Sequence, residues 1–343
     1  MARPRLLFLT DRGERHQKIA LRGAPPQVET LLRRRPDAAE TAALLPTVEM
    51  LVSERNQPVT AAMVEAAENL RLIVRLGSLS HDVAVAEAKA RGVRVSVQPV
   101  TGCIYAAEHL VMMTLAVLKR LGRSLHAAAQ AGGATVNGSP LAGARRTDED
   151  TFAYNWPGYA DLRGLTGKTV AILGMGEIGV ELARRLKGFA PGAVLYHKRT
   201  PYPADVEREL GVASADREEC LARADVLVCL LPYGPETDLS LGAAAFGRMK
   251  QGAALVHGGS GSVLDEGALL SALRSGRLSG AALDTYEWEP LAPEHPLAAY
   301  ARDPASNLLL TPHVAGAAEP GSYAGDFDEV VRFLGGEPLR WEV

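Results

Sequence analysis

The amino-acid sequence predicts an α/β protein of two domains, each built on a parallel sheet. A length of 343 residues suits about two domains. Short apolar runs alternate with helical segments almost throughout, and the alternation stops at Ala131 and restarts at Lys168. Because strands that alternate with helices form parallel sheets covered on both faces, these observations together predict the fold class.

Short runs of apolar residues mark the predicted strands. In the first half of the chain these runs are Leu6–Leu9, Val48–Val52 and Leu72–Leu76. In the second half they are Thr169–Leu173, Val194–Tyr196, Val226–Leu230, Ala254–His257, Ala281–Asp284 and Leu308–Thr311.

Helical patterns lie between the predicted strands. Helices are expected at Val28–Arg35 and at Thr60–Glu68, where Thr60 is a suitable N-cap. A longer pattern covers Ala106–Gln130 and is apolar on more than one side, as in a core helix, an interdomain helix or a dimer helix. Ala131–Asp161 has no periodicity, which predicts a loop excursion.

Composition narrows the class of protein. A net charge of −3 provides no global field for nucleic acid or an anionic membrane, so neither partner is expected. The cysteines (Cys103, Cys220, Cys229) are scattered, which predicts no metal site and no disulfide framework and fits a reducing compartment. The apolar runs at Leu6–Leu9 and Leu110–Leu118 are too short for a signal peptide and for a membrane span, so we expect a cytoplasmic protein.

A glycine-rich turn is the strongest local motif. The strand Thr169–Leu173 leads directly into G-x-G-x-x-G and then into an amphipathic helix. In this context the first glycine allows a tight turn, the second lets a pyrophosphate approach the backbone, and the third lets helix and strand pack closely. The motif therefore predicts a Rossmann-type dinucleotide site formed by Gly174, Met175, Gly176, Glu177, Ile178 and Gly179.

The turn after the next strand is basic. NAD-binding folds commonly place an acidic residue there, which binds the ribose hydroxyls. This chain has Lys198, Arg199 and Thr200 instead, which suit the 2′-phosphate of NADP(H) through charge-assisted hydrogen bonds. NADP(H) is therefore favoured over NAD(H), and a solvated basic turn is the alternative.

Several motifs resemble the D-isomer-specific 2-hydroxyacid dehydrogenase family. Asp161–Gly179 is similar to the family's entry into its cofactor domain, and Leu230–Thr237 to its Leu-Pro-Leu-x-x-x-Thr loop. Leu283–Pro290 and Thr311–Gly316 resemble its two late catalytic motifs. Arg75–Leu79 lies where the family has its glycine-rich substrate loop.

The resemblance implies a specific domain arrangement. A dinucleotide-binding Rossmann domain (106–315) would be inserted into a flavodoxin-like substrate domain (1–105 and 316–343). Family members are usually dimers through the cofactor domain and its long helix, so a homodimer is expected. A small molecule would be the substrate.

The resemblance also implies site residues. His313 and Glu289 would be the catalytic pair, in which the histidine is the acid or base and the carboxylate holds it. Further cofactor contacts would come from Leu231, Pro232, Thr237, Gly259, Asp284, His313 and Gly316. Substrate contacts would come from Arg75, Gly77, Ser78 and Leu79.

One catalytic position departs from the family pattern. The family has an arginine in an Asn-x-x-Arg-Gly turn that grips the carboxylate of a 2-oxo acid, and Ser260 stands at that position. A serine cannot make a bidentate, charge-assisted contact with a carboxylate. Other departures, at Ser78–His81 and Val97, also fall on the substrate side.

Three interpretations of Ser260 are open. The enzyme acts on a substrate other than a simple 2-oxo acid, or another cation replaces the arginine, with Arg75 and Arg145-Arg146 as candidates. In the third, the protein is a catalytically inactive, dinucleotide-sensing or regulatory relative. The retained pair Glu289 and His313 favours catalysis, because a sensor has little need of it.

Overall fold

The computed structural model describes residues 3–54, 57–129, 135–136, 139–140, 146–150, 152, 154–303, 305–317 and 325–343. The chain divides into two compact units. Unit 1 contains Met1–Ile104 and Ala317–Val343, and unit 2 contains Tyr105–Gly316. In chain order, unit 2 is therefore one continuous segment that interrupts unit 1.

Unit 1 is built on a five-stranded parallel sheet in the order β2-β1-β3-β4-β5. Its strands are β1 (Arg5–Thr10), β2 (Glu29–Arg34), β3 (Met50–Glu54), β4 (Leu72–Leu76) and β5 (Arg94–Gln98). This order is that of flavodoxin-like folds. The predicted α/β class with a parallel sheet is confirmed in this unit.

Five helices belong to unit 1. They are α1 (Glu14–Arg22), α2 (Ala38–Leu44), α3 (Ala61–Ala66), α4 (Val85–Ala90) and, after unit 2, α13 (Asp328–Leu334). The predicted N-cap of α3 is confirmed, because the Thr60 hydroxyl accepts the N–H of Met63 at 3.2 Å.

The helix predicted at Val28–Arg35 is wrong, because Glu29–Arg34 forms the edge strand β2 and pairs with β1 along its whole length. Leu31 packs against the hydrophobic cluster on one face of the sheet and Leu32 against the cluster on the other. Because two adjacent apolar residues face opposite sides of the sheet, the sequence lacks the alternation of apolar and polar residues that marks a strand. Pairing with β1 therefore decides the conformation.

Unit 2 is built on a seven-stranded parallel sheet in the order β10-β9-β8-β11-β12-β13-β14. Its strands are β8 (Thr169–Leu173), β9 (Ala193–His197), β10 (Ala213–Ser214), β11 (Val226–Cys229), β12 (Ala253–His257), β13 (Leu278–Leu283) and β14 (Leu308–Leu310). The order reverses at β8, which is the switch point where ligands bind in open parallel sheets. The predicted Rossmann-like class is confirmed here.

Eight helices complete the list. They are α5 (Thr101–Leu118), which crosses from unit 1 into unit 2, α6 (Leu121–Ala129), α7 (Glu177–Leu186), α8 (Ala204–Leu210), α9 (Arg217–Arg223), α10 (Ala243–Arg248), α11 (Glu266–Arg274) and α12 (Pro296–Ala301).

The prediction of a single helix over Ala106–Gln130 is wrong, because the helix is interrupted between α5, which ends at Leu118, and α6, which begins at Leu121. Arg120 lies in the left-handed region at φ +47°, and the carbonyl of Leu118 accepts the N–H of Arg163. Arg120 and Arg123 both pair with Asp161. The break thus depends on residues about forty positions later, which local periodicity does not reveal.

Helix α5 is longer than the apolar run Leu110–Leu118. By length and composition it could cross a membrane, although the core helices of soluble proteins meet the same criterion and 44% of it is buried in the described structure.

The predicted excursion at Ala131–Asp161 is described only in part. Strands β6 (Thr135–Val136) and β7 (Ser139–Pro140) pair antiparallel. Residues 131–134, 137–138, 141–145, 151 and 153 lie outside the described residues.

Candidate active site

The glycine turn after β8 is built as a phosphate cradle. Gly174 has φ +92°, and a Cβ there would lie 2.7 Å from the backbone of Leu230. Gly176 is the N-cap of α7, and a Cβ built on it meets nothing within 4 Å. The turn thus needs glycine at its first position for packing, while its second position leaves the backbone open to a ligand.

Helix α7 starts directly from this turn and points its free N–H groups at the open space. Gly179 packs closely, since its Cβ would lie 3.0 Å from the Met175 sulfur. Met175 is buried, and its carbonyl accepts the hydroxyl of Tyr202 at 3.1 Å. Glu177 and Ile178 occupy the first turn of the helix. These features fit a dinucleotide pyrophosphate.

The basic turn after β9 stands beside this cradle. Gly174 donates its N–H to the His197 carbonyl at 3.0 Å. The Lys198 ammonium lies 3.7 Å from the ring centroid of Tyr202, and Arg199 and Thr200 are exposed. The turn is free of acidic side chains from residue 197 to residue 202, all of which the structure describes.

The loop after β11 connects the cradle to the next turn. The Thr237 hydroxyl donates to the Pro232 carbonyl at 2.8 Å, which closes the loop. The Leu231 carbonyl accepts the N–H of Ser260 at 2.9 Å. Gly259 packs so tightly on Leu231 that a Cβ would lie 2.6 Å from its carbonyl oxygen.

His313 and Glu289 form a hydrogen-bonded pair at the carboxyl edge of the unit 2 sheet. The imidazole Nδ1 lies 2.7 Å from Oε2 of Glu289 and donates to it. The other oxygen, Oε1, accepts the N–H of Tyr286 at 3.1 Å, so both oxygens are fixed. The His313 side chain is 61% exposed, which leaves Nε2 accessible for proton transfer.

Asp284 fixes the backbone that carries His313. Its carboxylate accepts the N–H groups of Val314 and Ala315 at 3.0 and 2.9 Å, and the Thr311 hydroxyl at 2.6 Å. His313 itself has φ +52°, an uncommon conformation for a non-glycine residue. The structure therefore gives Asp284 a positioning role for the histidine turn, in addition to its predicted cofactor role.

His109 is a member of this network that sequence reasoning missed. Its Nε2 lies 3.0 Å from the Thr311 hydroxyl and 3.5 Å from Asp284. The Thr311 hydroxyl has one proton and donates it to Asp284, so it accepts the Nε2–H of His109. The three groups therefore form a chain of hydrogen bonds that runs from His109 to Asp284. His109 lies in α5, and no local sequence pattern connects it with Asp284.

Tyr286 supports the same region. Burial raises the pKa of its hydroxyl, which therefore stays protonated. The hydroxyl donates to the Thr311 carbonyl at 2.9 Å.

The turn after β12 carries Ser260. The Ser260 hydroxyl lies 3.1 Å from that of Ser262, and its carbonyl accepts Nε2–H of His257 at 3.1 Å. His257 is fully buried, and burial lowers its pKa to about 4, so the imidazole is neutral. A Cβ on Gly261 would lie 1.8 Å from the Tyr286 carbonyl oxygen, which places this turn directly against the Glu289 segment.

The predicted substrate residues lie in unit 1, with Arg75 inside β4 and Gly77, Ser78 and Leu79 directly after it. The interpretation of Arg75 as a substrate cation is wrong, because its side chain is fully buried and is paired with Asp82 at 3.0 Å. Its guanidinium also donates to the Ser53 hydroxyl at 2.8 Å. Gly77 has φ +143° and donates its N–H to the Gln98 carbonyl, Ser78 is half-buried and Leu79 is buried.

The other candidate cations are described only in part. Arg145 lies outside the described residues, whereas Arg146 is exposed.

In the part of the chain that the structure describes, no group of three or more His, Cys, Asp or Glu side chains is placed to bind a metal ion. Burial raises the pKa of Cys220 to about 12 and that of Cys229 to about 11, so both thiols are unreactive.

Comparison with known proteins adds independent findings. The family model described as "D-isomer specific 2-hydroxyacid dehydrogenase, NAD binding domain" matches residues 140–315. A D-3-phosphoglycerate dehydrogenase from Archaeoglobus fulgidus is 28% identical over 86% of this chain and 51% of its own length. A glyoxylate reductase from Korarchaeum cryptofilum is 30% identical over 86% of this chain and 78% of its own.

A solved structure of a Pyrococcus horikoshii OT3 protein is also similar. It has 25% sequence identity and a TM-score of 0.57, over 99% of this chain and 95% of that one. The chain spans about half the length of some of the curated relatives it matches (51% and 54%).

Proposed function

The chain belongs to the D-isomer-specific 2-hydroxyacid dehydrogenase family, and we propose that it is a nicotinamide-dependent oxidoreductase that interconverts a carbonyl and a hydroxyl group. The observation that carries this proposal is the pair formed by His313 and Glu289, with 2.7 Å between Nδ1 and Oε2. A protein that only senses a dinucleotide has no need of an exposed imidazole held by a carboxylate.

The chain's own residues account for binding and proton transfer. The Gly174–Gly179 turn and the start of α7 would hold the pyrophosphate. The nicotinamide supplies the hydride when it is bound. His313 would give a proton from Nε2 to the developing alkoxide, and Glu289 keeps the ring oriented and stabilises its positive charge.

NADP(H) is the proposed cofactor, with NAD(H) the weaker one. Lys198, Arg199 and Thr200 offer two cations and a hydroxyl where a 2′-phosphate would lie. The test is a fluorescence titration with NADPH and NADH. Tighter binding of NADPH is expected, and a clear preference for NADH would contradict the proposal.

The proposed substrate is not a simple 2-oxo acid. Ser260 stands at the position of the family's carboxylate-binding arginine, and Arg75 is occupied inside unit 1. The names of the relatives state what those proteins reduce or oxidise and do not define this chain's substrate. Consumption of NADPH with a panel of 2-oxo acids, aldehydes, ketones and imines tests the point.

Binding without any turnover would instead support the sensor interpretation. A second measurement separates the two. Activity that is lost in His313→Gln at unchanged NADPH affinity indicates catalysis, whereas parallel loss of both indicates a structural role for the histidine.

A homodimer and a cytoplasmic location are also proposed. The first rests on the dimers usual in the family, and the second on the scattered placement of Cys103, Cys220 and Cys229 in the sequence, which fits a reducing compartment. Light scattering on the purified protein tests the dimer, and cell fractionation tests the location.

A further inference from the structure

The loops around His313 have an unusual charge distribution. Four segments follow β11, β12, β13 and β14 at the carboxyl edge of the unit 2 sheet, and they are residues 231–239, 257–266, 284–295 and 311–317. These edge loops, all within the described residues, contain no lysine and no arginine. They carry eight aspartates and glutamates.

Three of these carboxylates, those of Glu266, Asp284 and Glu289, are held in place as hydrogen-bond acceptors, and apart from histidines the edge loops offer no cationic side chain to pair with them. Glu266 accepts the N–H of Glu287 at 3.1 Å, and its other oxygen lies 3.3 Å from His295. Asp284 accepts backbone N–H groups, and Glu289 accepts from Tyr286 and His313. The only titratable bases of these loops are three histidines, of which His257 is buried and neutral.

The edge loops therefore disfavour an anionic substrate group. A carboxylate brought to these loops would meet like charges and no guanidinium or ammonium group from them. A neutral group escapes this repulsion.

The hydroxyls of Ser260 and Ser262 can form hydrogen bonds with a neutral substrate group. The two hydroxyl oxygens lie 3.1 Å apart, and both side chains are half-buried and thus reachable. Together two hydroxyls can donate one hydrogen bond and accept another. Their turn is fixed against the Glu289 segment, since the Thr285 hydroxyl donates to the Gly259 carbonyl at 2.7 Å and Gly261 touches Tyr286.

We propose that Ser260 and Ser262 recognise an uncharged, hydrogen-bonding group next to the reacting carbonyl, such as a primary amide, in place of a carboxylate. The inference rests on the proposed oxidoreductase function and specifies its substrate class. In the reduction, the reduced nicotinamide, when bound, would supply a hydride to the carbonyl carbon. A proton passes from His313 to the carbonyl oxygen, and the products are the hydroxy amide and the oxidised nicotinamide.

Matched pairs of substrates test the inference, because each pair differs only in the group beside the carbonyl. Pyruvamide is compared with pyruvate, and phenylglyoxamide with phenylglyoxylate, at saturating NADPH. The amide of each pair is expected to have kcat/KM at least about 100-fold above the acid. Equal values, or a preference for the acids, would overturn the inference.

Variants assign the preference to the serines. Ser260→Ala should raise KM for the amide about tenfold, since one neutral hydrogen bond is removed, while the NADPH dissociation constant stays unchanged. Ser260→Arg should shift the preference towards the acids. Ser271→Ala, which removes an exposed hydroxyl on α11, is the matched control and should change neither value.

A binding measurement separates this inference from the proposed function. Oxamide and oxamate, which differ only in an amide and a carboxylate, are titrated calorimetrically into the NADPH-bound protein. Tighter binding of oxamide supports the inference even if no carbonyl is turned over, an outcome that would count against the oxidoreductase proposal alone. Tighter binding of oxamate, or binding of neither, would overturn the inference.

Discussion

Asp284 accepts the N–H of Val314 at 3.0 Å, so a residue directly after β13 fixes the turn that presents His313. The same carboxylate accepts the Ala315 N–H and the Thr311 hydroxyl. Because Asp284 is almost fully buried, the orientation of the histidine depends on an interaction below the reacting surface.

Replacement of His313 should remove catalysis and leave cofactor binding intact. His313→Gln is expected to lower kcat by about 100- to 10,000-fold, the usual contribution of a positioned acid or base. Glu289→Gln should cause a smaller loss, because the imidazole stays but loses its charged acceptor. Steady-state kinetics and NADPH titration check both, and a fall in NADPH affinity equal to the loss of activity would contradict the assignment.

Replacement of Asp284 should affect stability and catalysis together. Asp284→Ala removes the acceptor of two partly buried N–H groups and of the Thr311 hydroxyl, which costs about 1–3 kcal/mol of unfolding free energy. The kcat value should also fall, because the His313 turn is released. Urea denaturation and kinetics measure the two effects. Full kcat in a destabilised variant would show that the turn does not need Asp284.

Two glycine substitutions should separate folding from cofactor binding. Gly176→Ala adds a methyl group that meets no protein atom, so stability should be kept while NADPH binding weakens by about tenfold or more. Gly174→Ala forces a Cβ against Leu230 at φ +92°, so it should destabilise the fold itself. Thermal denaturation without cofactor distinguishes them, and equal loss of stability in both variants would refute the distinction.

Reversal of charge at Arg199 should change the cofactor preference. Arg199→Glu removes a charge-assisted contact of about 1.5–3 kcal/mol, so NADPH affinity should fall about 10- to 100-fold while NADH affinity is kept or improved. Arg208→Glu, an exposed position on α8, is the matched control. If the two variants lower the affinity for NADPH equally, the effect comes from the overall electrostatic field of the surface and not from a contact with Arg199.

His257 should make the fold sensitive to acid. Its pKa is about 4 in the folded protein against 6.5 without burial, so between these values the unfolded chain binds a proton that the folded chain does not. The free energy of unfolding should therefore fall by up to about 3 kcal/mol as the pH drops from 7 to 4.

Denaturation curves at several pH values measure this effect. His257→Asn should reduce the loss at low pH, whereas His126→Asn, at an exposed position on α6, should not. An unchanged pH dependence in His257→Asn would assign the sensitivity to other groups.

Local sequence patterns predicted most strands of the two parallel sheets, but they did not predict all the edge strands or the interruption between α5 and α6. The buried strands of unit 2 stand out because an apolar run is bounded by turns on both sides, as at Thr169–Leu173. The edge strand β2 has no such pattern, and β5 has no counterpart among the predicted strands. The end of α5 depends on Asp161, which is distant in sequence.

The site shows the same limit. Motifs led to His313 and Glu289, which the structure brings within hydrogen-bond distance. They could not reveal that Arg75 is an internal ion pair, since burial is not encoded by one residue and its neighbours. The motifs also could not reveal the role of His109, because His109 and Thr311 come into contact only in the folded protein.

That contact between His109 and Thr311, at 3.0 Å, joins a residue near the start of unit 2 to one near its end. The start and the end of the inserted segment therefore lie close together in the folded protein. Exchange of this whole segment between relatives would need only two junctions, and the histidine and threonine would have to be transferred together.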